Sequence, residues 1–507
     1  MTFLNKNKIL LYSFIFLLGL ITSFSLPPYN LFYLNFLSYP VLLWFLLFYS
    51  KDKIKSFNLG WIFGFGYFIS NLYWITNSLT FEEIFKPLIP FALILIPLFL
   101  GLFYGFSTLA FSILNPKKNI LSVLMLATSL SIFEYIRSFI LGGFPWNLIA
   151  FSFVNYSEFI QLLSITGTYA FNSIIILLFL SPIILFFKYK KKLKISIFGF
   201  LLFIIFANYF WGNSNLKNYE LVEKDNLGFT IKVISPKIKI KRYFQNENPS
   251  NFISELINIS EPNQSNETLF IFPEGILSSI HFDDFKKFKN LFSNNFSKKH
   301  KIILGMNIYE NQKIYNSLLL LNNELDVLAK YYKNKLVPFG EFLPFEKLLV
   351  NLGFKKITQG YQSFSADNRR SPISVNNFNF IPLICYEIIY SGNINKSKKK
   401  YDFILNISED GWFGNSIGPY QHYSHSIFRS IEEGKPVIRS SNNGISAFIN
   451  SKGQVIDKIL TTDKGFIELN SFKKSDNTIF SSYGNKIFFY FLSIYISLIF
   501  FFKIREN

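Results

Sequence analysis

Seven long apolar runs crowd the first 211 residues of this chain, at about 9–26, 31–50, 57–78, 88–114, 120–140, 159–187 and 195–211. An eighth covers about 486–502. A helix needs roughly 20 apolar residues to cross the hydrocarbon core of a bilayer. Inside that core every backbone polar group must be satisfied within the segment itself. The runs therefore predict a multi-pass α-helical membrane domain. Between 212 and 485 no run is long or apolar enough to span. The first run lacks a small-residue cleavage site and further spans follow at once, so it reads as a span and not as a signal peptide.

The basic residues of the short loops set an orientation. With the N-terminus in the cytoplasm, the inside segments hold Lys6, Lys8, Lys51, Lys53, Lys55, Lys117, Lys118, Lys188, Lys190, Lys191, Lys192, Lys194, Lys503 and Arg505. The outside loops at 27–30, 79–87 and 141–158 hold only Lys86. An odd number of spans then places 212–485 outside the cytoplasm, and the eighth span returns the C-terminus inside. Composition agrees: 16% of residues are charged, against about 25% in ordinary soluble proteins. The net charge of +19 would ordinarily point to nucleic acid or an anionic membrane surface. Many of the lysines flank apolar runs in a Phe-, Ile-, Lys- and Asn-rich chain, so no nucleic-acid partner is expected.

At Asn213 the composition changes, and Asn, Ser, Lys and Glu rise. Short β-rich runs at 228–235, 268–272, 301–308, 314–321, 378–384, 403–407, 436–440 and 445–450 read as strands. Amphipathic stretches at about 248–259, 282–298 and 419–434 read as helices. Strands interleaved with helices imply a layered α/β domain. There is no internal repeat, no phosphate-binding glycine loop and no metal-ligand spacing. Of the four histidines, only His422 and His425 are close, and two ligands alone are better explained by packing than by a metal. Cys385 is the single cysteine, so no intramolecular disulfide is possible.

Three segments place a reactive group where a strand ends. In LFIFPEG (269–275) an apolar strand runs into Pro273 and Glu274. A carboxylate at the mouth of a buried strand can be tuned into a general base, although taken alone it also reads as an exposed turn residue. In YYKNKLVPFGEFLPF (331–345), Lys333 and Lys335 follow a strand-like stretch and a Pro-Phe-Gly turn presents Glu341. A lysine beside a thiol stabilises a thiolate and a developing oxyanion; alone, these are also ordinary surface lysines. In FNFIPLICYEI (378–388) the only thiol ends an apolar strand, directly before Tyr386 and Glu387. That is an elbow-like position for a nucleophile, and equally a place for an inert buried cysteine.

Taken together, Glu, Lys and Cys in that chain order resemble the nitrilase superfamily, whose Glu-Lys-Cys triad sits on a four-layer α-β-β-α sandwich. More narrowly, the chain resembles the bacterial apolipoprotein N-acyltransferases over essentially its whole length. The family's Trp-Pro-Glu appears as Phe272-Pro273-Glu274. Its lysine motif appears as Tyr331, Lys333, Leu336, Val337, Pro338, Phe339, Gly340 and Glu341, with Lys335 at the family's histidine position. Ile-Cys-Tyr-Glu is intact at Ile384 to Glu387. WFGNSIGPYQH (412–422) and VIRSSNNGISA (437–447) resemble later family segments, and Tyr73-Trp74, Glu134-x-x-Arg137 and Gly143-Phe144-Pro145-Trp146 resemble membrane-domain positions. Two segments depart from the pattern: Glu409-Asp410-Gly411 stands for Asn-Asp-Ala/Ser, and Ser235-Pro236-Lys237 for Gln-x-Asn.

The resemblance implies seven transmembrane helices over 1–211, an extracytoplasmic nitrilase-like catalytic domain over 212–485, and an eighth transmembrane helix with a short cytoplasmic tail over 486–507. It implies Glu274 as general base, Lys333 as oxyanion stabiliser and Cys385 as nucleophile. Glu341 is then an accessory group near Lys333, Tyr386 and Glu387 shape the oxyanion site, and Trp412 and Phe413 are candidate cleft walls. Trp74 and Trp146 read as interfacial anchors, and Glu134 with Arg137 as a structural pair. The implied reaction passes an acyl chain from a phosphatidylethanolamine-like phospholipid, through a thioester on Cys385, to the amine of a diacylglyceryl apolipoprotein at the outer face of the bacterial inner membrane. No cofactor or metal is implied. The alternatives are a membrane-bound nitrilase-type amidase or esterase, in which water resolves the thioester, and a non-catalytic scaffold. Eight spans, instead of a single anchor, speak against the first, and the presence of all three triad residues speaks against the second.

Overall fold

Each apolar run coincides with a helix in the computed structural model, which describes residues 7–50, 52–240, 248–277, 280–344, 346, 351, 356, 363–395, 397–473 and 476–506. Lys6 and Lys51 of the charge-bias argument lie outside the described residues. Among the described residues, five helices are long and apolar enough to cross a membrane: Glu83–Ile113, Ile120–Arg137, Leu163–Phe186, Lys191–Glu220 and Lys486–Ile504. Lys8–Ser23 and Phe32–Phe48 are shorter apolar helices, and Lys53–Leu72 follows an Asp52 cap whose Oδ1 accepts from Ile54 N at 2.7 Å. The helix starting at Lys191 runs to Glu220, past the change in composition at Asn213. That change marks a more polar surface and not a helix end, because Asn, Ser and Lys interrupt a helix far less than Gly or Pro.

Two compact units make up the chain: 1–76, 86–218 and 478–507 in one, and 77–85 with 219–477 in the other. The first unit is helical and packs through glycine. A Cβ on Gly19 would sit 2.0 Å from the Phe63 carbonyl oxygen, and one on Gly66 would sit 2.1 Å from that of Phe16. Such close backbone approach substitutes for the hydrophobic effect, which is absent between helices in lipid. Glu134 and Arg137 form a buried pair, with Arg137 Nε donating to Glu134 Oε2 at 2.8 Å. Trp74 and Trp146 do not stand exposed as interfacial anchors. They are buried with their rings 5.1 Å apart, because packing of two large rings against each other outweighs their polar N–H preference for an interface.

The second unit carries two six-stranded sheets. The strands are β1 (Asp225–Ser235), β2 (Thr268–Ile271), β3 (His300–Glu310), β4 (Lys313–Leu321), β5 (Val327–Tyr332), β6 (Ile373–Val375), β7 (Phe378–Ile384), β8 (Phe403–Glu409), β9 (Val437–Asn442), β10 (Ser446–Ile449), β11 (Val455–Ile459) and β12 (Gly465–Phe472). The sheets run β12-β1-β2-β3-β4-β5 and β11-β10-β9-β8-β7-β6. In each, three central strands are parallel (β1, β2, β3 and β7, β8, β9) and the flanking ones antiparallel. The central strands β8 and β9 are buried along their length, because both faces are covered. Ser440 on β9 donates to the Ile234 and Ile271 carbonyls at 3.0 and 3.2 Å, so the two sheets face each other.

Helices form the outer layers and complete the α-β-β-α sandwich. Pro249–Ser260 and the region 282–295 pack on the first sheet through Phe252, Ile253, Leu256, Phe285 and Phe292. Gly418–Glu433 covers the second sheet. The single helix expected at 282–298 is broken into Phe282–Phe285, a 3-10 turn and Lys289–Asn295. Strands β6, β11 and β12 were not anticipated. They are edge strands or their neighbours, and β11 is exposed at four of its five residues, so no apolar alternation marks it. As in other open α/β sheets, the chemistry-bearing residues collect beyond the carboxyl ends of the parallel strands.

Candidate active site

Glu274 follows β2 by three residues. It is buried, not exposed in a turn, and its two oxygens are fixed separately. Oε2 accepts the Glu409 backbone N–H at 3.0 Å, at the end of β8. Oε1 accepts from Lys333 Nζ at 2.9 Å and from Asn316 Nδ2 at 2.7 Å. The turn carrying Glu274 lies directly on β3. A Cβ on Gly305 would come within 2.5 Å of Glu274 Cα and 2.6 Å of the Pro273 oxygen. Only glycine lets the strand and the turn approach this closely.

Lys333 follows β5, with its N–H bonded to the Asn316 carbonyl at 2.9 Å. Its side chain is 1% exposed, and Nζ donates to both Glu274 Oε1 and Glu341 Oε1 at 2.9 Å. Asn316 repeats that bridge with its amide, donating at 2.7 and 2.8 Å to the same two oxygens. Two carboxylates are thereby held side by side by an ammonium and an amide. Burial alone would lower the Lys333 pKa, but Glu274 and Glu341 outweigh it and hold it well above the ordinary lysine value. An ammonium has three donors; two serve the carboxylates and one is left for another acceptor. Glu341 Oε2 also accepts the Val337 N–H at 2.9 Å, which ties the Pro-Phe-Gly turn to the cluster.

Cys385 begins immediately where β7 ends and adopts φ +49°. A left-handed conformation at a non-glycine residue costs of order 1–3 kcal/mol and persists only where surrounding contacts enforce it. The Ile384 N–H donates to Glu387 Oε2 at 2.8 Å on one side of the elbow. Burial pushes the Cys385 thiol well above its ordinary pKa and Glu274 adds to the rise, while Lys333 and a hydrogen bond with Ser408 oppose it. Burial thus favours the neutral thiol over the thiolate.

The Glu387 carboxylate is engaged by protein donors on both oxygens. It accepts from Tyr331 Oη at 2.7 and 2.8 Å, from the Asn334 and Lys335 N–H groups at 2.9 and 3.2 Å, and from the Arg370 guanidinium. It thus clamps the cysteine elbow to the lysine loop. Tyr386 is buried, with its ring 5.4 Å from Tyr390. Trp412 meets Phe81 edge to face at 5.4 Å, and Phe413 lies edge-on to His422 at 5.6 Å. The Phe413 carbonyl accepts from Asn77 Nδ2 at 2.6 Å. The departing segment at 409–411 is internally satisfied: Glu409 Oε1 accepts the Gly411 N–H at 2.8 Å and Oε2 accepts from Asn442 Nδ2 at 2.6 Å. Ser235 Oγ donates to the Ser441 carbonyl at 3.3 Å.

Sequence reasoning missed Asn316, Gly305, Arg370 and the trio Asp410, His422 and Arg439. Asn316 sits in YNS on β4 with no chemical signature of its own. The trio is scattered over 30 residues of sequence and fully buried. Among the described residues, Cys385, Asp410 and His422 are also the group of three whose donor atoms lie close enough to hold a metal, within 4.8 Å of one another. Those donors are already engaged: Asp410 by Arg439 at 2.7 Å and Ser408 at 2.6 Å, and His422 by Asp410 at 2.8 Å and the Cys385 carbonyl at 3.2 Å. Burial disfavours the Asp410 charge, but Arg439 and His422 hold its carboxyl well below the usual range.

Two protein-family domains match the chain. The apolipoprotein N-acyltransferase N-terminal domain matches residues 18–181 and the carbon-nitrogen hydrolase domain matches 257–467. An apolipoprotein N-acyltransferase of Rickettsia typhi is 32% identical, covering 95% of both chains. One of Brucella suis is 27% identical over 89% of this chain and 88% of its own, and one of Agrobacterium fabrum is 29% identical over 86% and 85%. Membrane helices, a nitrilase-type sandwich and a buried Glu-Lys-Cys cluster thus occur in one chain with full-length relatives, and the chain belongs to the apolipoprotein N-acyltransferase family.

Proposed function

We propose that this protein transfers an acyl chain from a membrane phospholipid to the α-amino group of the diacylglyceryl-cysteine at an apolipoprotein N-terminus, with Glu274, Lys333 and Cys385 as catalytic residues. Glu274 takes the thiol proton, and Sγ attacks the ester carbonyl of the donor. Lys333 turns its remaining N–H to the tetrahedral oxyanion. The oxyanion collapses, the C–O bond breaks, and the proton passes from Glu274 to the departing lysophospholipid oxygen. A thioester on Cys385 remains. The acceptor amine then attacks that carbonyl, loses a proton to Glu274 and forms an amide as the thiol is regenerated.

The observation that carries this reading is the sharing of the Lys333 ammonium by Glu274 and Glu341, at 2.9 Å from each, beside a thiol held protonated by burial. A carboxyl group to take the proton, a cation paired with it and a thiol nucleophile are what an acyl-transfer site requires. A thioester splits an ester-to-amide exchange into two accessible steps, and it must be shielded from water. Both substrates carry acyl chains, and each buried CH₂ is worth about 0.8 kcal/mol, so neither leaves the bilayer cheaply. A phosphatidylethanolamine-like donor meets that condition. The protein is placed in the bacterial inner membrane, with seven spans over 1–211, the catalytic domain 212–485 on the periplasmic face and an eighth span over 486–507. The loop lysines support this orientation.

The test is product formation in proteoliposomes. Phosphatidylethanolamine with one labelled acyl chain is supplied with a diacylglyceryl-cysteine peptide. Wild type should move the label into an amide on the peptide amine, and Cys385→Ala should not. Label appearing only as free fatty acid would support hydrolysis of a lipid-linked substrate instead.

A further inference from the structure

His422 is fully buried on the helix Gly418–Glu433, and its Nε2 lies 3.2 Å from the carbonyl oxygen of Cys385. A carbonyl oxygen only accepts, so the contact is a hydrogen bond in the tautomer that carries its proton on Nε2. The opposite nitrogen, Nδ1, is bracketed by Asp410 Oδ1 at 2.8 Å, an acceptor, and Arg439 Nη2 at 3.1 Å, a donor. With the ring proton on Nε2, Nδ1 accepts from Arg439 Nη2. Its supports are themselves fixed. Asp410 accepts from Arg439 Nη2 at 2.7 Å and Ser408 Oγ at 2.6 Å, and Arg439 Nε donates to the Ile445 carbonyl at 3.1 Å. Phe413 closes off the ring at 5.6 Å.

The acceptor of that N–H is the carbonyl of the one residue in the cluster with a strained backbone, Cys385 at φ +49°. The elbow is pinned ahead of the cysteine by the Ile384 N–H on Glu387 and after it by His422. Releasing either end lets the left-handed residue relax, and the direction of its Cα–Cβ bond turns with it.

We propose that His422, oriented by Asp410 and Arg439, is a positioning residue that acts through the Cys385 carbonyl to keep Sγ aimed at the Glu274–Lys333 pair. The proposal rests on Cys385 being the nucleophile. It is tested with full-length enzyme in proteoliposomes, using His422→Gln and His422→Met. These side chains have nearly the same length, but only Gln offers an N–H. His422→Met should lower kcat for acyl transfer about ten- to hundredfold, the range for a misplaced reacting group, with KM for the phospholipid little changed. His422→Gln should recover most of that loss. Alkylation of Cys385 by iodoacetamide should fall and recover in parallel.

A His422→Met enzyme with wild-type kcat overturns the proposal, as does a folded His422→Gln enzyme no better than His422→Met. If His422→Met does not fold, His422→Gln decides alone: kcat within about tenfold of wild type supports the positioning role, and a larger loss at an unchanged melting temperature overturns it. Cys385→Ala is run alongside. Residual acyl transfer in that variant would sink the nucleophile assignment itself, whereas an inactive Cys385→Ala beside indifferent His422 variants would sink only the positioning role.

Discussion

Lys333 Nζ lies 2.9 Å from Oε1 of Glu274 in a site where the lysine side chain is 1% exposed and that of the glutamate 8%. At such burial a charge survives only if it is paired and hydrogen-bonded, and here a second carboxylate, Glu341, shares the same ammonium. The three groups are one electrostatic unit.

Removing the cation should therefore damage both stability and chemistry. Lys333→Met leaves two carboxylates side by side and should cost about 3–5 kcal/mol in unfolding free energy. It should also lower acyl transfer by about a hundred- to a thousandfold. Adding Glu341→Gln should return part of the stability and none of the activity. Thermal melts and turnover of the two variants check this; equal melting temperatures would contradict the shared-cation picture.

The fit of Gly305 against the turn of Glu274 predicts a defect from a single methyl. In Gly305→Ala the new Cβ meets backbone at 2.5 Å, and backbone cannot swing aside as a side chain can. The strain should cost about 1–3 kcal/mol, and displacement of the base should lower kcat about a hundredfold. A folded Gly305→Ala enzyme with wild-type kcat would show that the turn tolerates the shift.

Cys385 and Glu274 were legible in the sequence because each lies in a contiguous stretch that ends an apolar strand. How Glu274 is held was not legible. It depends on Asn316, 42 residues downstream, and on the Glu409 amide, 135 residues downstream, and neither residue type signals such a role. Glu387 illustrates the same limit. Its position beside the thiol points to the oxyanion, whereas five donors, from Tyr331, Asn334, Lys335, Arg370 and Ile384, turn it into a clamp. The membrane helices were readable from apolar length alone. The edge strands β6, β11 and β12 were not, because only a neighbouring strand supplies their reason to be extended.

Thiol reactivity should move opposite to turnover when the base is removed. Burial is the first cause of the raised Cys385 pKa and the Glu274 charge the next. Glu274→Gln deletes that second cause and leaves Lys333 beside the thiol, so the pKa should fall. The pH midpoint for alkylation of Cys385 by iodoacetamide should shift to lower pH while acyl transfer is lost. A midpoint shifted upward would contradict the assigned electrostatics.

Glu433 gives a pH-dependent stability prediction away from the site. Burial raises its pKa from 4.5 to about 7, against a hydrogen bond from Tyr401. The folded state thus holds a proton that the unfolded state has already released. The associated stability is present below about pH 4.5 and is lost as the pH rises through about 7. Glu433→Gln keeps a neutral acceptor for Tyr401. It should gain melting temperature relative to wild type between pH 5 and pH 8, whereas a difference independent of pH would contradict the shift.

Intact-protein mass spectrometry shows whether Cys385 carries the acyl chain. Wild type and Cys385→Ala are each incubated with phosphatidylethanolamine in the absence of acceptor. The account predicts a mass gain of one fatty acyl chain on wild type, removed by hydroxylamine and absent from the alanine variant. An acyl adduct that survives hydroxylamine, or one that forms equally on Cys385→Ala, would contradict it.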